Sequence, residues 1–282
     1  MTVTIPASVP ADSSGVGDVR PPPVRRAGRR AGARRSAFPP LRGLLPLVAL
    51  LGVWELRASA DSPYFPPPST WIEGLGDLWG NGTLLPAALQ TLSTFAIALA
   101  VATVLGTLLG LVVGASRTAD RALGPTLEFA RAMPPAAVVP VATLLLGYDV
   151  TMKVAVVTFA AVWSILLNTR SGVRAIDPVL LDTARCLRLK PFDRSRKCVF
   201  PALLPSIFLG VRVAAPVALV ITLLVEIVTR VDGIGALIAS AQRNYLAGQV
   251  YGLILLAGLF SFVVNGVVSA LQVFAFRNRP SY

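Results

Sequence analysis

The chain alternates long uncharged blocks with short charged ones. Apolar residues run from Gly43 to Trp54, then from about Leu89 to Ala115 inside a stretch with no charge between Asp77 and Arg117. Further blocks cover Ala132 to Tyr148 and Val154 to Thr169. A fifth extends from Pro201 to Glu226, interrupted by Arg212, and a sixth is centred on Gly252 to Phe274. About 20 apolar residues cross the hydrocarbon core, and tilt or snorkelling covers shorter runs. The pattern predicts an all-α integral membrane protein of six transmembrane helices, an even number that returns both termini to one side.

Composition agrees with that reading and narrows the chemistry. Of 282 residues, 54% are hydrophobic and only 14% charged, with a mean hydropathy of +0.69; soluble chains carry about a quarter charged residues. There is no histidine, so the commonest general base and metal ligand are both missing. Cys186 and Cys198 match no metal-site spacing, and no metal site is expected. No lysine (Lys153, Lys190, Lys197) follows the glycine of a phosphate-cradling loop. Neither an enzyme nor a cofactor bound by this chain is expected.

The net charge of +12 suggests nucleic acid until the charges are placed. Residues 1–42 carry eight arginines, with proline, serine and glycine and no apolar period. Such a segment cannot offset its ordering entropy by burial, and a disordered cytoplasmic tail is expected. With that tail inside, the cytoplasmic side also receives residues 117–131, residues 170–200 and the C-terminus, together 21 of the 26 Lys and Arg. Only Arg57, Lys153, Arg230 and Arg243 fall in outside loops, and Arg212 lies within a helix. The charge is a topology signal, not a nucleic-acid footprint. Arg34-Arg35-Ser36-Ala37-Phe38 with Ala58-Ser59-Ala60 loosely resembles a twin-arginine export signal. Glu55 and Arg57 stand where such a signal is uncharged, and the later spans need an inside start. The chain therefore divides into a tail, 1–42, and a membrane domain, 43–282.

The most informative loop is 170–200. Asp177 before Pro178 is a helix start, a capping carboxylate followed by proline at the first helical position. Val179, Leu180, Thr183, Ala184 and Leu187 then recur at helical spacing, and Pro191 limits the helix. A short basic amphipathic helix of this kind either lies on lipid or docks into a partner. Within the membrane, Gly106, Gly110 and Gly114 are spaced by four, which suits close helix packing or a dimer seam. Arg212, midway along the fifth span, costs about 3 kcal/mol in lipid and is expected to face protein, water or a carboxylate. Its roles are an anion-attracting pathway residue, or an interhelical pair or carbonyl cap. Glu226, about 21 Å further along a straight helix, is too far away to pair with it and is the second pathway candidate.

At this point the residues carry a resemblance. Asp182-Thr183-Ala184-Arg185-Cys186-Leu187, followed by Phe200-Pro201-Ala202-Leu203-Leu204-Pro205, resembles the loop signature of bacterial ABC importer permeases, E-A-A-x-x-x-G and then a leucine-proline pair. In the same order come Phe65-Pro66-Pro67-Pro68-Ser69, Arg131-Ala132-Met133-Pro134-Pro135, Leu166-Leu167-Asn168-Thr169, Gly210-Val211-Arg212-Val213-Ala214 and Gly233-Ile234-Gly235-Ala236-Leu237-Ile238. Together they are similar to the nitrate, sulfonate and taurine branch. The resemblance implies the type I importer permease fold, with a cytoplasmic coupling helix in loop 170–200. It implies two paired permease subunits, homo- or heterodimeric, in the bacterial inner membrane with both termini cytoplasmic. Two ABC ATPases, holding ATP and Mg2+, would sit beneath them, and an extracytoplasmic binding protein would deliver substrate. On this chain the docking helix would be Asp182 to Lys190, with Leu187 as apolar anchor and Arg185 and Arg188 on its rim. Three positions depart from the pattern: Asp182 replaces a glutamate, Thr183 an alanine and Arg188 the glycine. An arginine at the glycine position requires a partner with a matching acidic site, or a second permease with the stricter loop. The family's binding protein selects the ligand, so a small anion such as a sulfonate or nitrate is the expectation for substrate. The competing class is an ion-coupled secondary transporter or channel, which usually relies on intramembrane acids.

Overall fold

Two prolines break the third apolar block. The residue before a proline is disfavoured in the helical region; accordingly Met133 and Pro134 are extended, with ψ of 126° and 123°, and α5 starts at Pro135. The structure, a computed structural model, describes residues 45–59, 62 and 64–276. The expectations for the tail 1–42 lie outside the described residues. Those residues form α1 (Leu45–Arg57), α2 (Pro68–Gly80), α3 (Leu84–Ala115), α4 (Arg117–Ala132), α5 (Pro135–Leu146) and α6 (Val150–Arg174). After them come α7 (Pro178–Cys186), α8 (Pro191–Arg194), a π turn over Ser195–Val199, α9 (Phe200–Thr229), α10 (Ile234–Arg243) and α11 (Ala247–Phe276).

Four stretches are long and apolar enough to cross a bilayer: Leu84–Ala115, Val150–Arg174, Phe192–Thr229 and Ala247–Phe274. The 32 residues of α3 extend about 48 Å. The third apolar block departs from its predicted form, because α5 has only 12 residues and α4 meets it at 91°. The described part of the first block, the 13 residues of α1, reaches about 20 Å, against a core of about 30 Å. Among the described residues there are thus four full-length crossings, or five counting the bent pair, where the sequence predicted six.

The centre of the bundle is α3, α6 and α9, joined through Phe95, Ala98, Val157, Ala161, Ile165, Ala214 and Ala218. Small residues set the spacing. A Cβ on Gly110 would stand 2.7 Å from the Leu166 carbonyl oxygen and from Thr169 Cβ, and one on Gly106 would stand 2.9 Å from Ile165 Cβ. Gly114 makes the same approach to Val173 of α6. All three glycines therefore face α6 of the same chain. At the rim, α2 lies across the start of α11, where a Cβ on Gly252 would meet the Trp71 carbonyl oxygen at 2.6 Å. There Trp71 stacks on Tyr251 at 5.3 Å while Trp54 of α1 meets both edge-on. Glu55 Oε2 accepts the Ser69 N–H at 3.0 Å, binding α1 to the first turn of α2.

Candidate functional site

The loop between α6 and α9 is built by local capping. Asp177 Oδ1 accepts the Val179 N–H at 2.8 Å with Pro178 at the first helical position, as the sequence predicted. The helix ends earlier than expected, at Cys186 rather than near Pro191. The Arg188 N–H donates to the Arg185 carbonyl at 2.9 Å and the Leu189 N–H to the Ala184 carbonyl at 3.2 Å. This pair of bonds is the Schellman closure, which places its penultimate residue in the left-handed region. That residue is Arg188, with φ of 50°. The arginine at the glycine position thus adopts the backbone a glycine would, with its side chain exposed.

α7 stands away from the bundle, with Ala184 its only buried residue. Leu187 is 68% exposed and Phe192 74%, leaving an apolar patch on a charged loop. Asp182 and Arg185 pair at 2.7 Å on the exposed face, and the Thr183 hydroxyl donates to the Val179 carbonyl at 2.8 Å. Asp182, Thr183 and Arg185 therefore bind within their own helix.

The base of the loop is braced by a residue the sequence reading passed over. Asp120, in the first turn of α4 beyond the apolar span α3, receives Arg170 Nε at 2.5 Å and Arg174 Nη2 at 2.5 Å. The Arg170 hydrogen bond, aided by Arg174, holds its carboxyl below the usual aspartate range. The helix that leads into the loop is thereby fixed to α4.

The two pathway candidates occupy different surroundings. Arg212 is exposed on α9 and shares a face with Leu209, Val213, Pro216, Val217 and Val220. No ion pair or hydrogen bond holds it among the described residues. Glu226 is fully buried: Oε1 accepts Lys153 Nζ at 3.3 Å, and Oε2 accepts the Thr91 hydroxyl at 2.9 Å and the Gly235 N–H at 3.1 Å. Lys153 also donates to the Asp232 carbonyl at 2.5 Å. The sequence assigned Lys153 to an outside loop; it is instead the fourth residue of α6 and wholly buried. The available signal was weak, a lone lysine directly before the apolar block that starts at Val154. Gly233, at φ 153°, belongs to the same site, because the Glu226 carboxylate fills the space its Cβ would take. Among the described residues, no cluster of His, Cys, Asp or Glu is placed to hold a metal ion.

Residues 102–278 match the family described as binding-protein-dependent transport system inner membrane component. The chain belongs to that family. Relatives include the bicarbonate transport system permease protein CmpB of Synechococcus elongatus, 31% identical over 274 residues, covering 90% of this chain and 98% of that protein. The putative aliphatic sulfonates transport permease protein SsuC of Bacillus subtilis is 24% identical over 257 residues, covering 90% and 92%. In fold, the chain is similar to the inward-facing MetNI methionine ABC transporter, with a TM-score of 0.59 at 15% identity over 67% of this chain and 94% of that one. This inner-membrane component is an ABC permease, a transport subunit rather than an enzyme. Family membership brings an ATPase and a substrate-binding protein as partners in general terms. It sets aside the ion-coupled carrier, and the burial of Glu226 against Lys153 agrees.

Proposed function

We propose that this permease pairs with a second permease subunit along the exposed face of α9 and that the two together line a path for a small anion. The observation that carries the reading is Arg212, exposed and unpaired halfway along an apolar span. A guanidinium facing hydrocarbon at that depth costs about 2.5–3.5 kcal/mol, so the face that bears it belongs against protein or water. A cationic residue there favours anionic cargo, and relatives are named for bicarbonate and sulfonate transport. The reading includes six crossings with both termini cytoplasmic, supported by the lysine and arginine distribution. The cytoplasmic loop 170–200 grips an ATPase through α7 and Leu187, with Asp182, Thr183 and Arg185 on the docking surface, Ala184 buried behind them and Arg188 closing the helix. ATP and Mg2+ reside on that partner, and its closure tilts the spans as rigid bodies.

The test is uptake of bicarbonate and of an alkanesulfonate into proteoliposomes containing the permease with its ATPase and binding protein. Arg212→Ala is expected to lower uptake at least tenfold while the complex still assembles; undiminished uptake refutes the pathway role. Val217→Cys, with Cys186 and Cys198 replaced by serine, is expected to crosslink across the subunit boundary. A crosslink-free complex that still transports refutes the pairing.

A further inference from the structure

A cleft of about 610 Å3 opens where α10 turns into α11, on the rim of the bundle and away from the α9 face. Arg243, Gln242, Tyr64, Tyr245 and Tyr251 supply its polar side. Arg243 Nε donates to the Ala239 carbonyl at 3.2 Å within its own helix. Its terminal nitrogens have no ion-pair partner among the described residues, and no described carboxylate lines the cleft. The site is therefore electropositive, and the N-terminus of α11, which contributes Leu246 and Ala247 to the wall, adds to that field.

Tyr245 is set at the cleft by the end of α10. Its N–H donates to the Gln242 carbonyl at 3.3 Å, and the Leu246 N–H donates to the Ala241 carbonyl at 3.0 Å, the same Schellman closure seen at α7. Tyr245 occupies the left-handed position, with φ of 55°, which glycine fills without strain. The closure turns the chain at Tyr245, and the tyrosine lines the cleft.

The opposite wall identifies the occupant. Val250 and Ile254 of α11 continue the cleft along the membrane span, and Ile254 is 52% exposed on an outer surface that continues through Leu255 and Leu259. The cleft therefore runs from an aromatic, cationic mouth onto an exposed apolar side of α11. Trp54, Trp71 and Tyr251 cluster at the same level, as aromatic residues do at the membrane–water boundary.

We propose that this cleft seats an anionic phospholipid, with its phosphate on Arg243, its headgroup between the tyrosine rings and an acyl chain along Val250 and Ile254. The chemistry at the mouth suits any phosphate or sulfonate group; the open apolar wall selects the lipid. The inference requires only that the chain is embedded in a membrane and is independent of the path assigned to α9.

The test is native mass spectrometry of the full-length protein, delipidated in detergent and titrated with dioctanoyl phosphatidylglycerol. Wild type is expected to hold one tight adduct per chain that 10 mM inorganic phosphate or methanesulfonate does not displace. Arg243→Gln is expected to weaken it about tenfold, the loss of one charge-assisted contact. Tyr245→Gly is expected to weaken it severalfold while the melting temperature holds or rises, a combination that damage to the fold does not produce. Wild-type affinity in both variants overturns the proposal. Displacement by the free anions also overturns it, since the cleft would then be a small-anion site.

Discussion

Lys153 and Glu226, 73 positions apart in the chain, form an ion pair of 3.3 Å with both side chains wholly shielded from solvent. The pair sits in a complete set of hydrogen bonds. Thr91 donates to Glu226 and itself accepts the Ile234 N–H at 2.9 Å, so α3, α6, α9 and the start of α10 meet at one carboxylate. Removing one member of such a pair costs about 3–5 kcal/mol because the other charge stays buried, whereas replacing both with apolar groups is often neutral. Glu226→Leu and Lys153→Met are each expected to lower the melting temperature of the detergent-solubilised protein by several degrees. The double variant should recover most of the loss. Additive losses would show that the pair does not act as a unit.

Arg188→Gly is expected to stabilise the loop 170–200. A non-glycine residue in the left-handed region costs about 1–2 kcal/mol, and the two bonds that close α7 are between backbone atoms. ATPase stimulation by substrate-loaded binding protein should persist in this variant, while Arg188→Val should reduce it. Loss of coupling in the glycine variant would mean that the arginine side chain itself meets the ATPase.

At Gly110 the α3–α6 approach leaves no room for a side chain. Gly110→Val forces the helices apart, an overpacking cost of about 1–3 kcal/mol or more. The yield of monodisperse protein in size-exclusion chromatography is expected to fall sharply. Gly124→Ala, at a site with open space around it, should behave as wild type.

Asp120 makes the brace pH-dependent. Its carboxyl is held below the ordinary aspartate range, first by the Arg170 hydrogen bond and then by Arg174. A folded-state value below the unfolded one means that the stabilisation is complete above the unfolded value and disappears as pH falls through the folded one. Acidification through the carboxylate range is therefore expected to loosen α4 from α6, read as faster hydrogen exchange in residues 117–132. Asp120→Asn should exchange fast at neutral pH and lose that part of the acid response. An unchanged exchange profile in the variant would deny the brace.

The cap at Asp177 and Pro178 was legible because capping is local chemistry, decided within three residues. The end of α7 was not. Pro191 was the visible stop signal, but the helix closes at Arg188 through backbone bonds that leave no mark in residue type. Gly106, Gly110 and Gly114 announced a close helix approach, though two seams fitted the spacing until α6 was found opposite them. Arg212 stood out as a charge in an apolar run. Lys153 did not, because it lies directly before the start of its block, where a snorkelling lysine in a loop reads the same way.

By itself the sequence determined the all-helical membrane class, the main crossings and the loop that carries α7. Burial in lipid and local capping are both written in residue type along one segment. Only the tertiary structure decided that α4 meets α5 at 91°. Only it matched Lys153 with Glu226, Asp120 with Arg170 and Arg174, and α3 with α6. Those relations join residues dozens of positions apart, and a charge or a glycine in one helix carries no record of which other helix will lie against it.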